Sequence, residues 1–180
     1  DSVLGRLNFE ADAGASGGTG FVNLSPQSAK LVNPTANGAR ISGGLNRWAL
    51  TFSGDTKGGS GQWQFRVPTE YSSAPKLKIG HTMSADTSGL VEYEVYVMAV
   101  TSGDSADLDT DSFDTVNTNT ITVPATAGYY QEVEVVLTNN DAIAAGDICV
   151  IALSRDSADA VNDTAINWNE VRTIQFEYTK

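Results

Sequence analysis

An antiparallel β-sandwich of jelly-roll type is the fold that this 180-residue sequence predicts. From residue 46 onward, apolar and polar residues alternate with period two in short runs, the pattern of strands with one wet face. The runs are separated by turn chemistry: Ser53-Gly54-Asp55, Gly58-Gly59-Ser60-Gly61, Asn139-Asn140-Asp141 and Gly146-Asp147. No helical pattern exceeds about ten residues. The one candidate helix, Asp109 to Val116, spans two turns at most, and Asp156 to Ala160 offers a further turn.

Residues 1–45 differ from the rest, with eight of the seventeen glycines and only Phe9 and Phe21 as aromatics. The apolar pieces Phe21-Val22-Asn23-Leu24 and Lys30-Leu31-Val32 are each followed closely by a proline. The segment reads as an extended arm or a loosely patterned strand segment, with a flexible linker as the bland alternative. Residues 46–180 form the sandwich domain. Its strands begin with Trp48, Leu50 and Phe52, then Trp63, Phe65 and Val67, then Leu77 and Ile79, then Val91 to Val97. They continue through Ile121 and Val123, Val133 to Leu137, residues 148–153, and Glu170 to Tyr178. Residues 148–153 are apolar on both faces, as a central covered strand should be. Cys149 lies in that run as the single cysteine, which leaves no intrachain disulfide and reads as a small buried hydrophobe.

The net charge of -11 falls in the last 80 positions, which hold three basic and fourteen acidic residues. Such a surface repels phosphate backbones and anionic bilayers, so neither nucleic acid nor membrane is an expected partner. No stretch reaches the roughly 20 apolar residues that span a bilayer.

Chemistry is sparse. His81 is the only histidine, so multi-histidine metal sites are out of reach within one chain and His81 reads as a strand-end residue. No Gly-x-Ser-x-Gly elbow supplies a nucleophile. Glycoside hydrolysis needs only two carboxylates, but Glu92 and Glu94, or Glu132 and Glu134, sit at period two as solvated-face acids do. Asp107, Asp109 and Asp111 alternate as in calcium loops, yet Ser112 replaces the turn glycine and Thr118 the closing glutamate. A second acidic loop, Asp156-Ser157-Ala158-Asp159 with Asp163, is less regular; solvated turns and caps are expected in both. The reading therefore assigns no catalytic residue, no metal and no cofactor. Among the aromatics, Trp48 and Trp63 fall on the apolar side of their strands and read as core. Tyr71, Tyr129 and Trp168 lie in less patterned stretches and are the better ligand or interface candidates, with Tyr130 beside them.

From Gly61 the order of motifs is Gly61-Gln62-Trp63-Gln64-Phe65-Arg66-Val67-Pro68-Thr69-Glu70-Tyr71, then Thr87-Ser88-Gly89-Leu90-Val91-Glu92-Tyr93 and Ser102-Gly103-Asp104-Ser105. Val123-Pro124-Ala125-Thr126-Ala127-Gly128, Ala144-Ala145-Gly146-Asp147 and Leu153-Ser154-Arg155-Asp156-Ser157-Ala158-Asp159 follow. Over roughly residues 61–178 this series resembles jelly-roll virion proteins of tailed phages and environmental viruses: capsid decoration, head-fibre or tail-associated proteins. The resemblance implies a homo-oligomer, often a trimer, on the surface of a particle with other capsid or virion proteins as partners. It carries no binding residues. The expectation is a structural protein of a phage-like particle, at the virion surface, with residues 1–45 as docking arm and residues 46–180 folding without it. The alternative is a non-catalytic carbohydrate-binding module, calcium-stabilised or not, and host-surface glycans are a partner compatible with either.

Overall fold

The computed structural model describes residues 17–33, 39–43, 48–55 and 57–180. The strands are β1 (Thr19–Asn23), β2 (Lys30–Val32), β3 (Arg40–Gly43), β4 (Trp48–Phe52), β5 (Ser60–Arg66) and β6 (Ser73–Met83). They continue as β7 (Leu90–Val100), β8 (Asn117–Thr122), β9 (Gln131–Val136), β10 (Ile148–Arg155) and β11 (Asn169–Thr179). Every pairing is antiparallel. One sheet runs β3-β4-β11-β6-β9, with β1 also on β11; the other runs β2-β5-β10-β7-β8. Because β6 holds one edge of β11, β1 and β4 share the other, β1 along Gln175–Thr179 and β4 along Asn169–Val171. The result is the predicted jelly-roll β-sandwich. The only helical turn among the described residues is the 3-10 turn Pro26–Ser28. The Asp109–Val116 segment is a loop with a turn at Asp107–Asp111, not a helix. Its aspartates bond backbone N–H groups nearby, which competes with helix geometry.

Period two builds the core. Trp63, Ile151 and Val97 lie opposite one another across three strands and are all buried. Leu77, Ile79, Val171, Ile174 and Phe176 line the facing layer. Cys149 is fully buried as expected, and its thiol is pushed up to about 12 by burial first and then by the charges of Asp147 and Asp141. Trp48 departs from expectation. It shares the parity of Leu50 and Phe52 but stands at the start of its strand, past the edge of the core, and is 60% exposed. Tyr71, read as a ligand candidate, instead packs on the core against Phe176 and Tyr178.

Within residues 1–45, the described part is woven into both sheets. β1 pairs with β11, β2 with β5 and β3 with β4. Leu24 is buried in the core, and the Ser25 carbonyl accepts the Trp63 indole N–H at 2.8 Å. The described residues 19–33 and 39–43 therefore form a strand layer and not a free arm; residues 1–16, 34–38 and 44–45 of the segment lie outside the described residues.

The core also holds a polar cluster. His81 is buried within β6 and not at its end, and its ring meets Tyr93 edge-on at 5.6 Å. The Asn169 amide donates to His81 Nδ1 at 2.9 Å while its oxygen accepts the Tyr93 hydroxyl, so the imidazole is neutral with its proton on Nε2. Burial first, and the Arg155 charge second, push the imidazole down to about 4. The ordinary value is 6.5, so the unfolded chain takes up this proton first as pH falls. Stability is then lost between about pH 6.5 and 4, by about 3 kcal/mol at ~1.36 kcal/mol per unit. Urea unfolding at pH 7 and pH 4 should show this loss, and His81→Phe should flatten the slope. An unchanged slope in the variant would assign the titration to another group.

Candidate functional site

The outer faces of the two sheets differ. On the six-stranded sheet, lysines on β6 pair with glutamates on β9 and β11: Lys76 with Glu134 and Glu177, Lys78 with Glu132. Glu132 and Glu134 are thus members of a solvated charge ladder, as their spacing suggested. The five-stranded sheet turns a less charged face outward, and its register sets four rows across the strands. These are Arg66–Ile148–Val100, then Gln64–Val150–Met98, then Lys30–Gln62–Ala152–Tyr96, then Ser154–Glu94–Thr118. Rows two residues apart lie about 7 Å from each other, so the four span about 20 Å.

The loop between β7 and β8 closes one side of this face. Asp114 holds it: its N–H donates to the Val97 carbonyl at 2.9 Å, and its carboxylate accepts the N–H groups of Thr115 and Asp141. Those two backbone hydrogen bonds hold the carboxyl below its usual range. Phe113 sits edge-on to Tyr96 at 6.4 Å. Met98 is 4% exposed although it points away from the core cluster, because the loop covers it. Between loop and sheet lies a groove of about 390 Å³ lined by Lys30, Gln62, Gln64, Val150, Asp109 and Phe113, among others. Toward one end a depression of about 290 Å³ is bounded by Ser60, Lys57, Glu94, Tyr96 and Ser154. Toward the other, one of about 210 Å³ is bounded by Arg66, Thr101, Gly146 and Ile148. Lys57 bridges Glu94 at 2.9 Å and Asp156 at 2.7 Å. Burial works against its ammonium form, but the hydrogen bonds to Asp156 and Glu94 outweigh it and the lysine is held above its ordinary value.

The acidic residues singled out in the sequence separate into different jobs. Asp107 accepts the Asp109 N–H at 3.0 Å and Asp111 that of Ser112, so both shape the loop, while Asp109 and Asp111 also line the groove. Among the described residues, no group of three or more His, Cys, Asp or Glu side chains is placed to hold a metal ion. Asp159 accepts the N–H groups of Val161 and Asn162 as a turn cap. Asp163, expected in a solvated loop, is fully buried in an ion pair with Arg155. Glu94 is tied to Lys57 and Ser154. Glu92 is raised by burial first and by Asp159, Asp156, Glu94 and Asp163 after it, and lines none of the three depressions. Tyr129 and Tyr130 are exposed, and the Tyr130 hydroxyl meets Thr173 of the six-stranded sheet. Trp168 is half-buried, with its carbonyl accepting the Ser84 N–H. Gln62 and Gln64 were read only as the wet face of a strand; the loop that makes them groove residues lies some 50 positions away in the chain.

No known protein family matches the sequence, and no curated protein matches it. Solved structures do. A xylan-binding module of family 15 aligns at 9% identity and a TM-score of 0.49, covering 89% of this chain and 97% of that one. A family 35 carbohydrate-binding module from Clostridium thermocellum aligns at 11% identity and 0.47, covering 89% and 99%. The C-terminal family 6 module of a marine laminarinase from Zobellia galactanivorans aligns at 10% and 0.46, covering 89% and 100%. At such identities and scores no residue role passes from them to this chain. The expectation of a phage-like structural protein is nonetheless corrected. The three structures just named are carbohydrate-binding modules and not virion proteins. Of the docking arm that reading required, residues 19–23 and 40–43 pair into one sheet and residues 30–32 into the other. The capsid partners and the trimer rested on the same resemblance.

Proposed function

We propose that this chain is a non-catalytic carbohydrate-binding module whose site is the groove on the outer face of the five-stranded sheet. The observation that carries the reading is the alternation along that face. Apolar floor at Val150 adjoins the amides of Gln62 and Gln64, with the carboxylates of Asp109 and Asp111 and the ring of Phe113 on the wall. A sugar chain presents the matching surface: C–H faces for the apolar floor and hydroxyls for amides and carboxylates. The depressions follow one another along the strands over about 20 Å, which suits an extended oligosaccharide better than a compact ligand. Phosphate-bearing polymers are disfavoured by Asp109 and Asp111 in the wall and by the net charge of -11. Of the strand carboxyls whose spacing raised glycoside hydrolysis, Glu94 is held by Lys57 and Ser154 and Glu92 lies outside the depressions, so that pair is not free in the groove.

Calorimetry against soluble xylan, mixed-linkage β-glucan, galactan and mannan, all uncharged, tests this. At least one should bind, and Gln62→Ala with Gln64→Ala should weaken it about 10–100-fold, as two lost hydrogen bonds of about 1 kcal/mol each imply. Val161→Ala, in an exposed loop on neither face of the groove, should change nothing. Failure of all four polymers to bind, or full affinity in the double variant, would remove the groove as the site.

A further inference from the structure

We propose that Tyr130 forms the floor of a second carbohydrate site, on the outer face of the six-stranded sheet, that takes a single pyranose ring. Tyr130 stands just before the edge strand β9, and its side chain runs across β6 to β11. It can do so because position 80 is glycine: a β-carbon there would overlap both the Tyr130 ring and the Thr173 hydroxyl. The ring thus lies on bare backbone. Its hydroxyl donates to Glu132 at 2.8 Å and, with that proton used, accepts from Thr173 at 2.9 Å. Two fixed ends leave the ring little freedom, yet 51% of the residue remains exposed. An aromatic ring anchored at both ends on a sheet surface, with half of the residue left exposed, is a pre-ordered stacking surface.

The rim selects the ligand class. Along β6, Gly80 is flanked on the same face by Lys78, paired with Glu132 at 2.8 Å, and by Thr82, which donates to Glu170 at 2.9 Å. Arg172 closes the second group through Thr82 and Glu170. These paired charges offer donors and acceptors with no net excess of positive charge, which suits equatorial hydroxyls and not phosphates or nucleotides. A second copy of the chain would need a broader apolar patch than one tyrosine beside the Lys76–Glu134 and Lys78–Glu132 ladder. The site is independent of the groove: it lies on the opposite sheet and shares no residue with it.

The test is an NMR titration of the full chain with methyl β-glucopyranoside and methyl β-galactopyranoside to about 100 mM, since one stacked ring binds on the order of 1–10 mM. Saturating shifts are expected at Gly80, Tyr130, Glu132 and Thr173. They should persist in the Gln62→Ala, Gln64→Ala double variant and vanish in Tyr130→Ala. Gly80→Ala, which displaces the ring while keeping it in the chain, should weaken binding at least about 10-fold, the effect of losing the stack. Absence of saturating shifts at these four residues in the unaltered chain overturns the proposal even if a variant fails to fold. So does their survival in a folded Tyr130→Ala. Loss of groove binding with these shifts intact would count against the groove alone.

Discussion

Asp163→Ala should destabilise the fold by about 3–5 kcal/mol, the cost of leaving one member of a buried ion pair without its partner. Both side chains are fully buried, and the guanidinium of Arg155 grips Asp163 with two hydrogen bonds, at 2.7 and 2.6 Å. The remaining guanidinium donors reach the carbonyls of Asn167 and Ala165. Asp163 also accepts the Glu92 N–H at 3.0 Å, so it fastens the loop before β11 to the start of β7. Removing it strands a charged guanidinium in the core and orphans a backbone N–H. Replacing both partners by leucine should cost far less than the single change, because no charge is then left buried. Urea unfolding of the two singles and the double gives the coupling directly. A loss below about 1 kcal/mol for Asp163→Ala would mean that water reaches Arg155 and that the pair is not a core element.

A chain of residues 46–180 should fail to fold cooperatively, the reverse of what its composition suggests. Deletion removes β1, β2 and β3, hence a neighbour of β11 along Gln175–Thr179 and the outer neighbours of β5 and β4. It removes Leu24 from the core, where emptying one leucine site costs about 2–5 kcal/mol, and takes away the carbonyl that the Trp63 indole requires. Val22, Leu31 and Ile41 pack on that core as well. Against a total stability of about 5–15 kcal/mol these losses are disabling. Circular dichroism with thermal unfolding checks it. A sharp transition near the full-length midpoint would restore the arm as an appendage.

Where alternation was strong, the strands were legible from sequence because period two reports directly which face is buried. Val91 to Val97 and Glu170 to Tyr178 follow from it; the doubly apolar run became the central strand β10, but its outer residues Ile148 and Val150 are partly exposed in the depressions and not covered as that run suggested. Trp48 shows its limit: parity names a face but not where the core stops, and a strand-end tryptophan projects beyond it. The glycine-rich β1–β3 region carried too few large side chains to show a period. Its strands are held by backbone hydrogen bonds to β11, β5 and β4, which leave little trace in composition.

The sequence by itself determined the all-β class, the buried Cys149 and the acidic character of the last 80 residues, because each depends on local pattern or on counting. Only the tertiary structure decided the rest. Asp163 and Arg155, eight residues apart, became a core ion pair because a turn folds back onto β10. Gln62, Gln64 and Phe113 became one groove because sheet register and a long loop superpose distant positions. Tyr130 reaches across β6 to Thr173 because a glycine on that strand leaves room for its hydroxyl end. Such juxtapositions arise from long-range pairing, and no window of sequence contains both partners.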